Sequence, residues 1–307
     1  MIESKKIFIL SIFSTILALL ILVIFRPYVS WRHDRPLSGF RDNWDHSINF
    51  ITIGDSRTLL GIDPINVINK YDIKLQGANF GFNSVAFSKK YLLAAENKLV
   101  YKGKRIILLG ISPLSLSPNS FNSNAFKNFS KCSNATRLYE FILSKKRFAF
   151  TTLKKTEIQH ILSGCKWRPN LEITIQNSGW TPAIWKGAAD DRANLLEYQN
   201  KFNLGKIESK RIDLLINIIS SWHDKGIKIF GFRPPVTKKM YDLENELSGF
   251  DEISFIEKFK NAGGNWIQIP PYGKYHCYDG SHISKISAIM LSDNVGKEIK
   301  MVLDEEE

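Results

Sequence analysis

The sequence predicts an α/β fold: a mostly parallel five-stranded sheet between two layers of helices, with an inserted cap and one N-terminal membrane helix. Three observations predict it. Short, almost continuously apolar runs recur between stretches of helical periodicity, residues 119–203 break that alternation, and residues 7–25 carry no charge. The 307 residues are 44% hydrophobic and 12% aromatic, which suffices for one sizeable core and is too apolar for a disordered chain.

The first element is Ile7–Phe25, "IFILSIFSTILALLILVIF", between Lys5, Lys6 and Arg26. As a helix it measures about 28 Å, close to the hydrocarbon thickness of a bilayer. A cleaved secretory signal is the alternative, but the run is longer than the apolar core of such signals and "RPYVSWRHD" offers no small-residue cleavage site. Residues 1–26 are therefore expected to be an anchor with its short tip, and 27–46 a juxtamembrane linker. Arg26, Arg32, Arg35 and Arg41 follow the segment while Lys5, Lys6 and the amino terminus precede it, so the positive-inside count alone leaves a cytoplasmic domain open.

From residue 47 onward strands and helices alternate. "INFITIG" (48–54) is a run ending in glycine, as a strand buried on both faces reads. "IKLQGANFG" is a weaker second strand, "SVAFSKKYLLAAENKLVYKGK" has helical spacing closed by Gly103, and "RIILLGIS" is a third strand. After the insertion, "ESKRIDLLINIISSWHDKG" is a helix, "IKIFGFRPP" a fourth strand, "TKKMYDLENEL" and "DEISFIEKFKNAGG" two helical stretches, "NWIQIP" a fifth strand and "KISAIMLSDNVGKEIKMVL" a last helix. Such alternation builds a parallel sheet with right-handed crossovers. Residues 119–203 are too long for a bare loop and read as a partly helical cap. Its Trp167, Trp180, Trp185 and Tyr198 either line a cleft or pack the cap's own core.

Lys and Arg number 42 against 30 Asp and Glu, a formal charge of +12. A basic domain beside a membrane attracts anionic head groups or acidic polymers. Nucleic acid is not expected, because the basic residues are dispersed and neither zinc-finger spacing nor an aromatic-basic RNA motif is present. Cys132, Cys165 and Cys277 are too few for a disulfide scaffold, so either one Cys132–Cys165 bridge or three thiols is open.

In an open parallel sheet the ligand crevice lies beyond the carboxyl ends of the strands. Strand one ends in Gly54-Asp55-Ser56-Arg57, where Ser56 is either a helix N-cap or a projecting hydroxyl. The fifth strand leads into "DGSHIS", with Asp279 three residues ahead of His282 on the same edge of the sheet. A serine needs a base to take its proton, and a carboxylate on the far ring nitrogen fixes the imidazole tautomer. Arg57 and Arg233 follow strands one and four, where they either bind an acidic sugar or donor carbonyl or form ordinary ion pairs. His276, Cys277, Asp279 and His282 also raise a metal cluster, but adjacent His276 and Cys277 point apart and the spacing is not that of structural zinc, so no metal is expected.

With these blocks in place the chain resembles the SGNH or GDSL-type hydrolase superfamily. "IGDSR" is similar to its first block and "DGSH" to its last, which implies a flavodoxin-like three-layer fold and a triad of Ser56, His282 and Asp279. "NFGFNS" is similar to the second block, which places the Gly81 amide at an oxyanion hole with that of Ser56. The third block usually reads G-x-N-D, whereas here Gly110-Ile111-Ser112-Pro113 lacks the asparagine. Ser112 or Asn83 then stands in for a donor whose loss can cost about 3 kcal/mol of transition-state stabilisation. The N-terminal segment, "GDSRTLLGIDP", "RPPV" and "DGSH" together resemble a membrane-anchored bacterial branch similar to alginate O-acetyltransferase and D-alanyl-lipoteichoic acid transfer proteins.

That resemblance implies a single-pass cytoplasmic-membrane protein whose domain, residues 47–307, faces the periplasm or exterior. It implies O-acetyl transfer or ester cleavage on an envelope or exported polysaccharide without a cofactor, together with a membrane-bound acyl-donor protein as partner. A non-catalytic polysaccharide-binding or assembly subunit on the same fold is the alternative.

Overall fold

The computed structural model describes residues 11–15, 17, 44–71, 73–122, 125–131 and 171–305. Of the expected anchor only 11–15 and 17 fall in this set, and they are helical. The rest of Ile7–Phe25, residues 27–43, Cys132, Cys165 and Trp167 lie outside the described residues. Among the described residues no helix is long and apolar enough to cross a membrane.

Five strands, β1 (Phe50–Gly54), β2 (Gly77–Asn79), β3 (Ile106–Gly110), β6 (Lys228–Phe232) and β7 (Gly264–Trp266), form one parallel sheet in the order β2-β1-β3-β6-β7. Between β3 and β6 the chain adds an antiparallel pair, β4 (Leu171–Ile173) and β5 (Ala183–Trp185). The helices are α1 (Ser56–Gly61), α2 (Pro64–Lys70), α3 (Lys89–Glu96), α4 (Pro113–Leu116), α5 (Pro118–Asn122) and α6 (Ala125–Lys131) in the first half. α7 (Arg192–Asn203), α8 (Ser209–Asp224), α9 (Lys238–Leu247), α10 (Glu252–Asn261) and α11 (Lys285–Glu305) follow.

Because side chains alternate along a strand, every central strand feeds two cores. Ile51, Ile53, Ile107, Leu109 and Ile229 meet α3, α8 and α10 through Leu92, Leu215, Trp222 and Phe259. Phe50, Leu108, Phe230 and Phe232 meet α2 and α11 through Val67, Leu291, Val295 and Ile299. Full burial of one such side chain stabilises by about 1.5–3 kcal/mol, which explains why the apolar runs are almost unbroken.

The five expected strands and the flanking helices are present, with shifted boundaries. Helix α3 occupies only Lys89–Glu96, since the Ser88 hydroxyl accepts from the Tyr91 amide and so starts the helix there. "NWIQIP" gives a strand only over Gly264–Trp266, at the edge of the sheet. Helix α2 has no counterpart in the periodicity reading. Its signal is Asp63-Pro64, a carboxylate that caps the Ile65 amide followed by a proline in the first turn. The described residues of the insertion hold the hairpin β4–β5 beside α5, α6 and α7, and the sequence reading contained no hairpin there.

Candidate active site

Strands β1 and β3 lie side by side with Gly54 opposite Gly110, so the turns after both strands open on one edge. The Thr58 side chain folds back over this pair: a Cβ on Gly54 would lie 2.2 Å from Thr58 Oγ1 and 2.6 Å from the Gly110 carbonyl oxygen. Glycine at 54 is thus required by close approach, and it lets the chain turn straight from strand into α1. Asp55 caps α1, with Oδ1 accepting from the Arg57 amide at 2.9 Å, and leaves Ser56 as the first helical residue.

The same edge receives the loop after β7. Ser56 Oγ lies 2.8 Å from His282 Nε2, and His282 Nδ1 lies 2.9 Å from Asp279 Oδ2. Asp279 Oδ1 accepts from the amides of Ser281 at 3.1 Å and His282 at 2.8 Å. Burial alone would raise the Asp279 pKa, but the His282 charge and these hydrogen bonds overcome it and hold the carboxyl at about 2. An ionised Asp279 only accepts, so His282 Nδ1 carries the ring proton and Nε2 is left to accept from the Ser56 hydroxyl. The carboxylate is sealed inside, whereas Ser56 and His282 are half-buried and reachable. Hydroxyl, imidazole and carboxylate therefore stand in the order that activation of a serine requires.

The cap grips this loop from outside. The Asp190 amide donates to the Tyr278 carbonyl at 3.0 Å, Asn194 Nδ2 to the Asp279 carbonyl at 2.9 Å, and the Tyr198 and Ser281 hydroxyls pair at 2.9 Å. Positions 190, 194 and 198 fall on one face of α7 and its N-terminal approach. Gly280, at φ 85°, passes so close that a Cβ would lie 2.8 Å from Asp191 Cβ.

The two arginines expected to bind substrate are buried in ion pairs, the other alternative open at those positions. Arg57 is 3% exposed, its Nε donates to Ser281 Oγ at 3.0 Å, and its Nη2 lies 2.7 Å from Glu244 Oε1. Burial disfavours that charge, but Glu244 and Asp55 more than compensate and raise the guanidinium pKa above its ordinary value. Arg233 is equally buried, paired with Glu244 Oε2 at 3.0 Å and Glu252 Oε2 at 2.5 Å and stacked on Tyr241. Both guanidinium groups enter one internal ion network that ties α1, α9 and the loop of Asp279 and His282 together.

The oxyanion expectations divide in the same way. The Gly81 amide donates to Asn79 Oδ1 at 2.9 Å, so the side chain two residues back takes the donor assigned to the oxyanion. Ser112 is fully buried and its hydroxyl donates to Asp55 Oδ2 while accepting from the Ser115 amide. It therefore braces the residue before the nucleophile. The Ser56 amide has no acceptor among the described residues. Asn83 lies in the turn that crosses the end of β1, where the Phe82 amide donates to the Gly54 carbonyl, and its buried Oδ1 meets no donor there. The next residue, Ser84, has φ 49°, a conformation that residues with a Cβ rarely adopt.

Sequence reasoning missed Tyr278, whose ring stacks on that of His282 at 6.2 Å and 23°. It also missed Ser281 and Glu244. Of the marked aromatics, Trp180 is buried with its Nε1 donating to the Leu60 carbonyl, and Tyr198 is buried with its phenol pKa raised by desolvation. His276 is exposed beside buried Cys277, and among the described residues no three His, Cys, Asp or Glu side chains converge on a metal position.

Fold and site together define an α/β protein with a hydrogen-bonded Ser-His-Asp triplet at the carboxyl edge of its parallel sheet. The chain matches no family model, no curated protein and no solved structure.

Proposed function

We propose that the chain is a membrane-anchored serine acyltransferase or esterase of the SGNH type, adding or removing O-acetyl groups on an envelope or exported polysaccharide. The observation that carries this reading is the unbroken line of contacts from Ser56 Oγ through His282 to Asp279, at 2.8 and 2.9 Å. Ser56 attacks the ester carbonyl while His282 Nε2 takes its proton. The tetrahedral intermediate collapses to an acetyl-Ser56 ester as His282 protonates the departing alcohol. A sugar hydroxyl or water, deprotonated by His282, then takes the acetyl group. The Ser56 amide and Asn83 Nδ2 are the donors assigned to the oxyanion, in place of Gly81 and Ser112.

In this reading Ile7–Phe25 anchors the chain in the bacterial cytoplasmic membrane with the domain on the outer side. A membrane-bound acyl-donor protein supplies a transferase, and no cofactor is needed. Ser56→Ala in the producing cell is expected to change the acetyl content of the polymer as a null allele does. Unaltered acetyl content in that strain refutes the proposal.

A second reading, a non-catalytic polysaccharide-binding or assembly subunit, is favoured by the engagement of the Gly81 amide and the Ser112 hydroxyl inside the protein. Release of 4-nitrophenol from 4-nitrophenyl acetate by the parent chain but not by Ser56→Ala eliminates it.

A further inference from the structure

We propose that Trp185 is the floor of a subsite for a pyranose ring of the polysaccharide, an inference that rests on the function proposed above. The hairpin that carries it is fixed to the elements that carry the nucleophile. The Thr181 amide donates to the Leu59 carbonyl at 3.2 Å, Trp180 Nε1 to the Leu60 carbonyl at 2.9 Å, and the Asn79 amide to the Ser178 carbonyl at 2.7 Å. Ala183 packs with Leu59, Leu60 and Tyr278, and Trp185, two residues further along β5, falls on the same face. Its ring lies 5.5 Å from that of Tyr278 at 14°, and Tyr278 in turn lies 6.2 Å from His282. Three rings thus run from the base of the triad to the surface.

Trp180 and Tyr198 are buried, whereas Trp185 keeps part of its surface open. Its one polar atom is already used, since Nε1 donates to the Ala188 carbonyl at 2.9 Å. What remains for a ligand is the open part of an apolar indole held in one orientation, at little cost in side-chain entropy on binding. A pyranose offers the complement, a face of C–H groups rimmed by hydroxyls. The two ring steps of 5.5 and 6.2 Å put the indole within about 12 Å of the imidazole. A saccharide that carries the acetyl ester spans such a distance, with one ring on the indole and the ester at Ser56. Trp185 therefore acts on saccharide affinity and leaves the acylation of Ser56 alone.

The test uses the full-length protein in detergent, with 4-nitrophenyl acetate as acyl donor and a panel of neutral and uronate hexasaccharides. Each hexasaccharide is offered free as acceptor and O-acetylated as substrate. Acylation releases 4-nitrophenol, and transfer to water or a sugar hydroxyl restores the Ser56 hydroxyl. Trp185→Ala, and Trp185→Leu, which keeps an apolar cover on Tyr278, are expected to raise the half-saturating concentration of the best hexasaccharide about five- to tenfold. Both should hold kcat/KM for 4-nitrophenyl acetate within about twofold of the parent, which also reports an intact fold. Unchanged saccharide half-saturation in both variants overturns the subsite, as does a parent that no member of the panel saturates. A Ser56→Ala chain that cleaves 4-nitrophenyl acetate as fast as the parent sinks the proposed function instead.

Discussion

Removing the Glu244 carboxylate tests whether the two arginines beside the triad serve the fold. Glu244 is fully buried, with Oε1 2.7 Å from Arg57 and Oε2 3.0 Å from Arg233. Arg233 keeps Glu252 when Glu244 is lost, whereas Arg57 keeps its bond to Ser281, the Tyr198 ring and the more distant Asp55, none of which replaces the lost carboxylate. Glu244→Leu therefore leaves one buried guanidinium without its main counter-charge, a loss that costs about 3–5 kcal/mol. For a domain of this size that corresponds to a fall in Tm of roughly 6–20 °C. Arg57→Met combined with Glu244→Leu removes the orphan charge as well, so the double variant is expected to melt above Glu244→Leu alone. Thermal melts followed by circular dichroism on the full-length chain measure both. A single variant that loses under about 1 kcal/mol, the range of an exposed pair, refutes the reasoning. So does a double variant whose losses simply add.

Three further outcomes follow from the same contacts. Asn194→Ala removes the bond to the Asp279 carbonyl, worth about 1 kcal/mol, and should slow 4-nitrophenyl acetate turnover about fivefold with KM unchanged. Restoration of the rate by Asn194→Gln would mark positioning through the amide, and a rise in KM alone would contradict it. Asp279 is held at about 2 in the fold against an ordinary value of 3.8 for an aspartate side chain. Its contribution is thus fully present above about pH 4 and is lost as pH falls toward 2. It amounts to on the order of 2 kcal/mol, so Tm should fall less steeply between pH 4 and 2 in Asp279→Asn than in the parent, and identical slopes would count against it. Burial pushes the Cys277 thiol up to about 12, so iodoacetamide at pH 8 should leave its peptide unmodified until denaturant is added. Rapid labelling of Cys277 in the folded chain would contradict that environment.

The strands were legible because burial on both faces demands apolar residues at every position, as in Ile106–Gly110 and Phe50–Gly54. The meeting of Ser56 and His282 was legible for a topological reason: parallel strands deliver their carboxyl-end loops to one edge whatever the sequence distance. That rule places a residue at the edge without stating which way its side chain points. Arg57 and Arg233 lie where it predicts, yet Glu244, more than 180 positions after Arg57, turns both inward. A signal for this was present. In α9, Met240 and Glu244 share one face, and a glutamate on an apolar face implies a buried cationic partner. The Gly81 assignment failed for a local reason, because nothing in "NFG" shows that the Asn79 side chain folds back onto the amide two residues on. The bracing of Asp55 by Ser112 depends on β1 and β3 being neighbours in register, and the grip of α7 on the triad loop depends on how the cap seats, so neither has a sequence period to reveal it.

Reaction of the full-length protein with a fluorophosphonate, followed by peptide mass spectrometry, tests the central claim most directly. An adduct on Ser56 that disappears in His282→Ala is the result required of an alcohol that passes its proton from Oγ to His282 Nε2. A folded chain in which Ser56 stays unmodified, or is labelled equally fast without the imidazole, contradicts it.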